Sequence, residues 1–133
     1  MFTIEQIHTT HSKVKSGADF PAYIQDLIHI GVLSYDIFVT DGHATYSGKD
    51  GFCISSGKQY APLKIASEGN EQKLKDALKV HQQGLTDYLT FCKQAAESGV
   101  EKWTVDMNNM TCSYYDKQGL LLVIGSIPNI VQN

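Results

Sequence analysis

The sequence predicts an α+β fold in which the order helix, helix, strand, strand, strand occurs twice in tandem. Apolar residues recur at helical spacing in four segments and alternate with polar residues in six others. In addition, the two halves align without a gap at a constant offset of 68 residues. We therefore expect a single domain over residues 1–133, with antiparallel meanders and helices packed on one side. One continuous six-stranded sheet is an open alternative to two separate meanders.

Capping signals place two helices at the start of the chain. Thr3 and Gln6 form a capping-box pattern, and the helix that they begin is expected to extend as far as Gly17. Its recurring residues are Ile4, Ile7, His11 and Val14. Asp19 is the expected N-cap of a second helix, which ends at Gly31 because glycine readily adopts the left-handed conformation of a C-terminal cap.

Three short strands follow, at residues 34–39, 44–46 and 52–54. Asp41-Gly42 between the first two is a two-residue hairpin signal, because both residues tolerate a positive φ. Residues 49–51, with the sequence KDG, mark the second turn. The first half therefore ends in a predicted meander.

The second half repeats this order. Asn70 caps a helix that ends at Gly84, and either Thr86 or Asp87 caps another that ends at Gly99. The strands are expected around residues 102–107, 112–114 and 120–124, with turns at 108–109 and 117–119. Asn108 and Asn109 suit the first turn because asparagine tolerates a positive φ.

The alignment of the two halves supports an internal repeat. Six residues are identical over the 36 positions from 19 to 54, where about two matches are expected by chance. The identical pairs are Asp19/Asp87, Gly31/Gly99, Val32/Val100, Tyr46/Tyr114, Lys49/Lys117 and Gly51/Gly119. Because most of these residues set caps and turns, the pseudo-repeats are assigned to about 1–56 and 69–127, with a connector at 57–68. The residues expected to face the helices are Tyr35, Ile37, Val39, Tyr46, Trp103, Val105, Met107 and Tyr114. A crevice between the halves is the expected ligand site.

Composition and charge exclude several classes of function. The net charge of −3 and the lack of a basic stripe disfavour binding to nucleic acid. The chain shows no signal-peptide pattern and no apolar run long enough to cross a membrane. Three scattered cysteines, an odd number, fit a reducing compartment. We therefore expect a soluble cytoplasmic protein without cofactor or membrane association.

Two histidine patterns were considered as sites. Asp41 and His43 resemble an acid–base pair, but a hairpin tip explains Asp41, and the second half has turn residues without acid or histidine there. His43 therefore remains a candidate ligand-binding residue only. His8 and His11 lie three residues apart, close enough to share a metal ion, but no third ligand is placed by the sequence. No metal site is predicted.

The densest polar cluster lies at the junction of the second pair of helices. Local capping explains most of it, and the functional alternative is a polar pocket lined by His81, Gln82 and Asp87. Cys92 follows one and a half turns later. With His81 and Asp87 it is a weak catalytic candidate, although a buried free cysteine that acts as a small apolar residue is the simpler interpretation. Cys112 aligns with Ala44 and is expected in the core.

Tyr115 and Asp116 have no aromatic or acidic counterpart in the first half. Tyr115 should lie on the sheet face opposite the helices, where it forms an apolar patch with Phe38 and Leu121. Such a patch indicates a partner protein or a homodimer, unless the C-terminal residues 126–133 cover it. Tyr115 is therefore a further candidate binding residue.

Three long stretches resemble a known family. FVTDGHATYSGKDG, HQQGLTDYLTFCKQAAESGVEKWTVD and MTCSYYDKQG resemble the YbcV-like family of small bacterial and prophage proteins, often labelled phage envelope proteins or proteins of unknown function. The resemblance spans essentially the whole chain. It implies a small α+β domain of phage ancestry without an established activity, and it supplies no catalytic residues.

Taken together, these features predict a non-enzymatic binding or interaction domain. Its expected partner is another protein, a second copy of the chain or a small molecule in the crevice between the halves. Two alternatives remain open at this point. One is a small hydrolase or transferase that uses Cys92 and His81, and the other is a structural component of a phage.

Overall fold

A six-stranded antiparallel sheet with four helices forms the fold of the computed structural model, which describes residues 2–14 and 19–127. Within these residues the elements are α1 (Ile4–His11), α2 (Phe20–Ile30), β1 (Ser34–Phe38), β2 (Ala44–Ser47), β3 (Cys53–Ser55), α3 (Glu71–Gln82), α4 (Tyr88–Glu97), β4 (Lys102–Asp106), β5 (Thr111–Tyr115) and β6 (Leu121–Ser126). The predicted α+β class is confirmed.

The sheet is continuous, with the strand order β3-β2-β1-β4-β5-β6, and all neighbouring strands are antiparallel. β1 and β4 form the central pair, in which Asp36 lies opposite Thr104. The Thr104 hydroxyl donates a hydrogen bond to the Asp36 carboxylate across this pair. The two meanders therefore form one sheet, the alternative that the sequence left open.

One face of this sheet carries the core. In β1, β2, β4 and β5, buried residues alternate with half-exposed ones, because successive side chains in a strand point to opposite faces. All eight residues expected to face the helices are buried: Tyr35, Ile37, Val39, Tyr46, Trp103, Val105, Met107 and Tyr114. The predicted core of the sheet is therefore confirmed.

The first helix begins as predicted and ends early. The Gln6 backbone N–H donates to the Thr3 hydroxyl at 3.1 Å, and the Thr3 N–H donates to the Gln6 side chain at 2.8 Å. The expected extension to Gly17 is wrong, because α1 ends at His11. The Ser12 hydroxyl donates back to a helical carbonyl at 2.7 Å, a local bond that competes with helix continuation. Gly17 itself lies outside the described residues.

Three of the remaining helix caps follow the sequence signals, whereas Asp19 occupies the N-cap position of α2 without a side-chain capping hydrogen bond. Gly31 ends α2 with a φ of +104°. Asn70 begins α3 by accepting a hydrogen bond from the Lys73 N–H at 3.0 Å. At α4 the cap is Asp87, whose carboxylate accepts the Thr90 N–H at 2.8 Å. Each of these three caps therefore satisfies backbone groups that the first or last helical turn leaves unpaired.

The first hairpin is longer than the two-residue turn predicted from Asp41-Gly42. β1 ends at Phe38, and the loop is closed by hydrogen bonds from Gly42 N to Phe38 O at 2.8 Å and from Phe38 N to His43 O at 2.9 Å. Val39 N–H also donates to the carbonyl of Glu101 at 2.9 Å. This bond continues the pairing with the second half, so the chain turns only after it.

The second hairpin places its positive φ on an unexpected residue. Met110, rather than Asn108 or Asn109, has a φ of +54°. The two asparagine N–H groups instead donate to the carboxylate of Asp106, at 2.8 and 3.2 Å. An aspartate that accepts backbone N–H groups a few residues ahead stabilises a turn by itself, so the asparagines need no left-handed backbone.

The two outer strands also differ from their predicted limits. β3 comprises only Cys53–Ser55, and Phe52 precedes it, packed edge-on against Phe2 with ring centroids 4.9 Å apart. β6 begins at Leu121 and extends to Ser126, two residues beyond the predicted end. Its longer course brings Gly125 opposite Cys112 on the buried side of the sheet.

Candidate ligand-binding cavity

A cavity of about 740 Å³ lies between the buried face of the sheet and the helices. Ligand sites in proteins commonly measure about 300–1,000 Å³. Strand residues of both halves form its floor: Tyr35, Ile37, Ala44, Tyr46, Trp103, Cys112, Tyr114, Val123 and Gly125. All four helices contribute to its walls. The wall residues include His11 of α1, Tyr23 of α2, His81 of α3 and Phe91 of α4. The cavity therefore occupies the region between the halves where the sequence predicts a crevice.

Aromatic rings form a continuous wall around this cavity. His11 on α1 packs edge-on against Tyr23 of α2, with centroids 5.3 Å apart, and against Tyr88 of α4 at 6.1 Å. Tyr88 in turn lies edge-on to Trp103, at 6.4 Å. His11 therefore connects the helices of the first half with those of the second, at a position that the sequence suggested only as half of a metal pair.

The floor of the cavity continues the same ring network. On the first meander Tyr35 packs against Tyr46, with centroids 5.3 Å apart. On the second meander Trp103 packs against Tyr114 at 5.7 Å. Phe91 of α4 lies 5.6 Å from Trp103. Such edge-to-face and tilted pairs stabilise beyond the area that they bury, so the wall is a well-packed surface.

The phenol hydroxyls of this wall interact with one another. Burial raises the pKa of Tyr35 well above its usual value, and electrostatic interactions with Tyr23, Tyr46 and Tyr88 raise it further. Burial likewise raises the pKa of Tyr23, which also hydrogen bonds to Tyr46. The hydroxyls of these lining residues therefore remain protonated near neutral pH.

Tyr60 of the connector completes this group. Its hydroxyl donates to the Val39 carbonyl at 2.6 Å, and burial raises its pKa. Its ring also approaches Gly42 so closely that a Cβ atom there would lie 2.6 Å from it. The sequence contains no signal for this role, because the connector has no periodicity and its contacts are with distant parts of the chain.

His81 and Asp87 lie on the cavity wall together with Gln82, as the pocket alternative predicts. The His81 ring stacks on Phe91 with centroids 4.7 Å apart, and its Nδ1 lies 3.1 Å from the carbonyl oxygen of Thr86. The Thr86 hydroxyl lies at the same distance from Nδ1, so both polar groups of this residue hold the His81 ring. A ligand-binding role for these three residues stays a prediction.

Lowering the pH below about 6.5 is expected to destabilise the fold through His81. Burial lowers the pKa of His81 below its usual 6.5, so the unfolded chain binds this proton at a higher pH than the folded chain. The free energy of unfolding then falls as the pH drops from about 6.5 through the folded pKa. Because the ring is half-exposed, the slope is expected to be well below the limit of about 1.4 kcal/mol per pH unit.

Urea unfolding at a series of pH values between about 7.5 and 5 measures this slope. The variant His81→Gln should show a flatter profile than the unsubstituted protein in this window. The capping carboxylate of Asp87 does not interfere, because its hydrogen bonds to Thr90 lower its pKa below 3.8 and its contribution is lost only at more acidic pH. Equal slopes in the two proteins would contradict the assignment to His81.

Cys92 is fully buried, and burial raises the pKa of its thiol. Its described side-chain contacts are with the hydroxyls of Tyr60 and Tyr88, whereas those of His81 are with Thr86 and Phe91. A nucleophilic cysteine requires a lowered pKa and an adjacent base. The environment of Cys92 favours the neutral thiol, and a catalytic role for it stays a prediction. Cys112 is buried as expected, and burial raises the pKa of its thiol to about 12.

His43 lies on the sheet face opposite the cavity. Its ring stacks on Phe38 with centroids 4.4 Å apart and nearly parallel planes. Asp41 accepts hydrogen bonds from the His43 backbone N–H at 3.0 Å and contacts its Nδ1. These bonds, the backbone one first, lower the pKa of Asp41. The structure therefore separates His43 from the pocket of His81, Gln82 and Asp87.

Tyr115 lies on the same open face as His43. The Lys102 ammonium group lies 6.0 Å from the ring centroid of Phe38 and 5.8 Å from that of Tyr115. Leu121 and Ile124 of the edge strand β6 are 51% and 58% exposed. Lys102 therefore lies between the two aromatic rings of the expected apolar patch. The patch and the partner protein or homodimer inferred from it stay predictions.

Asp116, the other residue without a counterpart, has a structural role. Its side chain is buried, and its carboxylate accepts hydrogen bonds from the backbone N–H groups of Gln118 and Leu120, both at 2.9 Å. These bonds close the turn between β5 and β6. No candidate function is attached to this residue.

The described residues contain neither a metal-binding cluster nor a helix that could cross a membrane. Over residues 2–14 and 19–127, no three histidine, cysteine or acidic side chains lie close enough together to share a metal ion. In the same part of the chain, no helix is both long enough and apolar enough to cross a membrane.

Comparisons with known proteins give a family. A family described as "Protein of unknown function (DUF1398)" matches residues 8–126, which include the whole sheet and most of the cavity wall. The uncharacterized protein YcgX of Escherichia coli (strain K12) is 26% identical over 118 residues, which cover 88% of this chain and 87% of the relative. Neither description gives an activity or mentions a phage, so the phage ancestry stays a prediction. Because the match extends over most of the chain, the protein belongs to the DUF1398 family of proteins of unknown function.

Proposed function

We propose that this protein is a non-enzymatic binding protein that takes up a small molecule in the cavity between its two halves. The observation that carries the proposal is the cavity itself, about 740 Å³ in volume and walled by packed aromatic rings. Largely preformed concave sites with apolar walls and a few convergent polar groups are typical ligand sites. Here the polar side chains of the lining include those of Tyr23, Tyr35 and Tyr46.

The proposal includes an internal pseudo-twofold relation that places the cavity between equivalent units. The strand order is symmetric about the β1–β4 pair, where Asp36 faces Thr104, its counterpart at an offset of 68. Left-handed backbone also recurs at this offset, in the pairs Gly31/Gly99, Gly42/Met110 and Gly51/Gly119. Turn geometry that recurs at a fixed offset supports a duplicated unit more strongly than identity alone.

A binding role is favoured over catalysis by the state of Cys92 and Asp87, of which only Asp87 lines the cavity. The buried thiol of Cys92 is held in its neutral form. The Asp87 carboxylate is hydrogen bonded to the first turn of α4, where it stabilises the helix. A hydrolase that used these residues would need a thiolate and a free base, so binding explains the described contacts better than chemistry does.

Filling the cavity tests the proposal. Gly125 lies on the wall, and a Cβ atom added to it would have no neighbour within 4 Å. Gly125→Phe should therefore place a ring in the cavity without displacing the backbone. The matched control is Ile124→Phe, because Ile124 is the preceding residue of β6 and is 58% exposed.

The neutral solvatochromic dye Nile red serves as the probe. Saturable binding with blue-shifted emission is expected for the unsubstituted protein and for Ile124→Phe. Gly125→Phe should weaken binding at least tenfold, about 1.4 kcal/mol. Far-ultraviolet circular dichroism establishes that both variants are folded. Equal affinities in all three proteins, or no saturable binding to the unsubstituted protein, would refute the proposal.

A further inference from the structure

We infer that the ligand of this cavity is a neutral, flat aromatic molecule that carries hydrogen-bonding groups. The inference rests on the proposed binding function and specifies the chemical class of the ligand. It is based on three features of the cavity: the charges of its lining, the phenol groups among its lining residues and the packing of its aromatic walls.

The lining offers an anion no lysine or arginine among the described residues, and its basic side chains are those of His8, His11 and His81. The chain contains no arginine, and no lysine lines the cavity among the described residues. Carboxylates and phosphates are normally held by arginine or lysine side chains, or by the N-termini of helices. The N-terminus of α4 is at the cavity, but there Asp87 already accepts the Thr90 N–H at 2.8 Å. A negatively charged ligand would therefore lose its hydration without compensation.

The cavity also disfavours a cation. Cages for quaternary ammonium groups present ring faces to the ligand. Here, by contrast, Tyr35 packs against Tyr23 and Tyr46, with ring centroids 6.4 and 5.3 Å apart, so these rings are engaged with one another. Asp87 is the single acidic residue of the described lining, and it is engaged as the helix cap.

The tyrosine hydroxyls of the lining residues are suited to a neutral polar partner. A phenol hydroxyl both donates and accepts hydrogen bonds. The raised pKa values of the buried tyrosines and the lowered pKa values of His11 and His81 keep these groups uncharged near neutral pH. The rings of Trp103 and Tyr114 supply flat apolar contact beside them. A flat molecule with a hydroxyl or carbonyl group satisfies both surfaces at once.

A series of matched probes distinguishes the charge classes. Isothermal titration calorimetry at neutral pH compares naphthol, naphthoate and naphthylmethylammonium, which share one ring system and differ in charge. Naphthol is expected to bind at least tenfold more tightly than either charged probe, and Gly125→Phe should abolish its binding. The variant Tyr35→Phe, which removes one hydroxyl, should weaken the binding of naphthol severalfold and leave that of unsubstituted naphthalene unchanged.

The outcomes separate this inference from the proposed function. If a charged probe binds as tightly as naphthol and its binding is lost in Gly125→Phe, the cavity is a binding site and the inferred ligand class is wrong. If Tyr35→Phe binds naphthol and naphthalene as the unsubstituted protein does, the hydrogen-bonding part of the inference is wrong. If Gly125→Phe weakens the binding of none of the probes, the proposed function fails together with the inference.

Discussion

Replacing Gly99 by alanine is expected to lower the free energy of unfolding by about 2–5 kcal/mol. Gly99 has a φ of +85°, and left-handed backbone costs a residue with a Cβ atom about 1–2 kcal/mol. The new Cβ would also lie 2.4 Å from the carbonyl oxygen of Glu68 and 2.7 Å from the Cα of Gly69. Because both neighbours are backbone atoms, the chain itself must move, at a cost of about 1–3 kcal/mol.

Gly119→Ala is the matched control for this substitution. Gly119 has nearly the same φ, +81°, but a Cβ atom there would have no neighbour within 4 Å. The free energy of unfolding of Gly119→Ala should therefore fall by the cost of the left-handed backbone alone, about 1–2 kcal/mol. The reduced entropy of the unfolded chain affects both alanine variants equally. Urea denaturation measures both, and similar losses would contradict the close approach of the connector to Gly99.

The contact at Gly99 illustrates what the sequence does and does not predict. Its left-handed conformation at the end of α4 was expected from its position alone. The contact with Glu68 was not, because it depends on how the connector packs against α4. Two hydrogen bonds fix this packing, from Ala66 N to Ala96 O at 2.9 Å and from Asn70 N to Ser98 O at 2.8 Å. No periodicity or turn signal predicts bonds of this kind.

Local signals were dependable because their partners lie within one helical turn. The caps at Thr3, Asn70 and Asp87 each bond an atom three residues away, so the capping pattern is complete in the sequence. The hairpin at Asp41-Gly42 was mispredicted because a distant bond, from Val39 to Glu101, also determines where β1 ends. The prediction of this hairpin therefore fails because a tertiary contact competes with a local preference.

The sequence also predicted only part of the candidate site. His81, Gln82 and Asp87 were identified because they are polar neighbours at a helix junction, and all three line the cavity. His43 and Tyr115 were identified because the other half lacks a counterpart, and they lie on the opposite face of the sheet. The strand tyrosines of the lining, Tyr35, Tyr46 and Tyr114, were expected only as core residues, since alternation in a strand predicts burial and not an adjacent void.

Replacing Leu27 by alanine is expected to cost about 2–5 kcal/mol, the range for truncating a fully buried leucine. Leu27 lies on the inner face of α2, and its carbonyl accepts the Val32 N–H at 3.0 Å where the helix ends. The matched control is Ile28→Ala, since Ile28 is the next residue of the same helix and is 39% exposed. Its expected loss is under about 1 kcal/mol. Urea denaturation of both variants measures the difference.

Leu27→Ala should also weaken the binding of naphthol, although Leu27 is not part of the cavity lining. Tyr23 lies four residues before Leu27 on the same face of α2, and its ring packs against His11 and Tyr35 in the cavity wall. Loosening α2 at Leu27 therefore loosens the wall that Tyr23 forms. Calorimetry should detect a severalfold loss of affinity in Leu27→Ala and none in Ile28→Ala. Unchanged affinity in a destabilised Leu27→Ala would mean that the wall is held by the sheet and α4 alone.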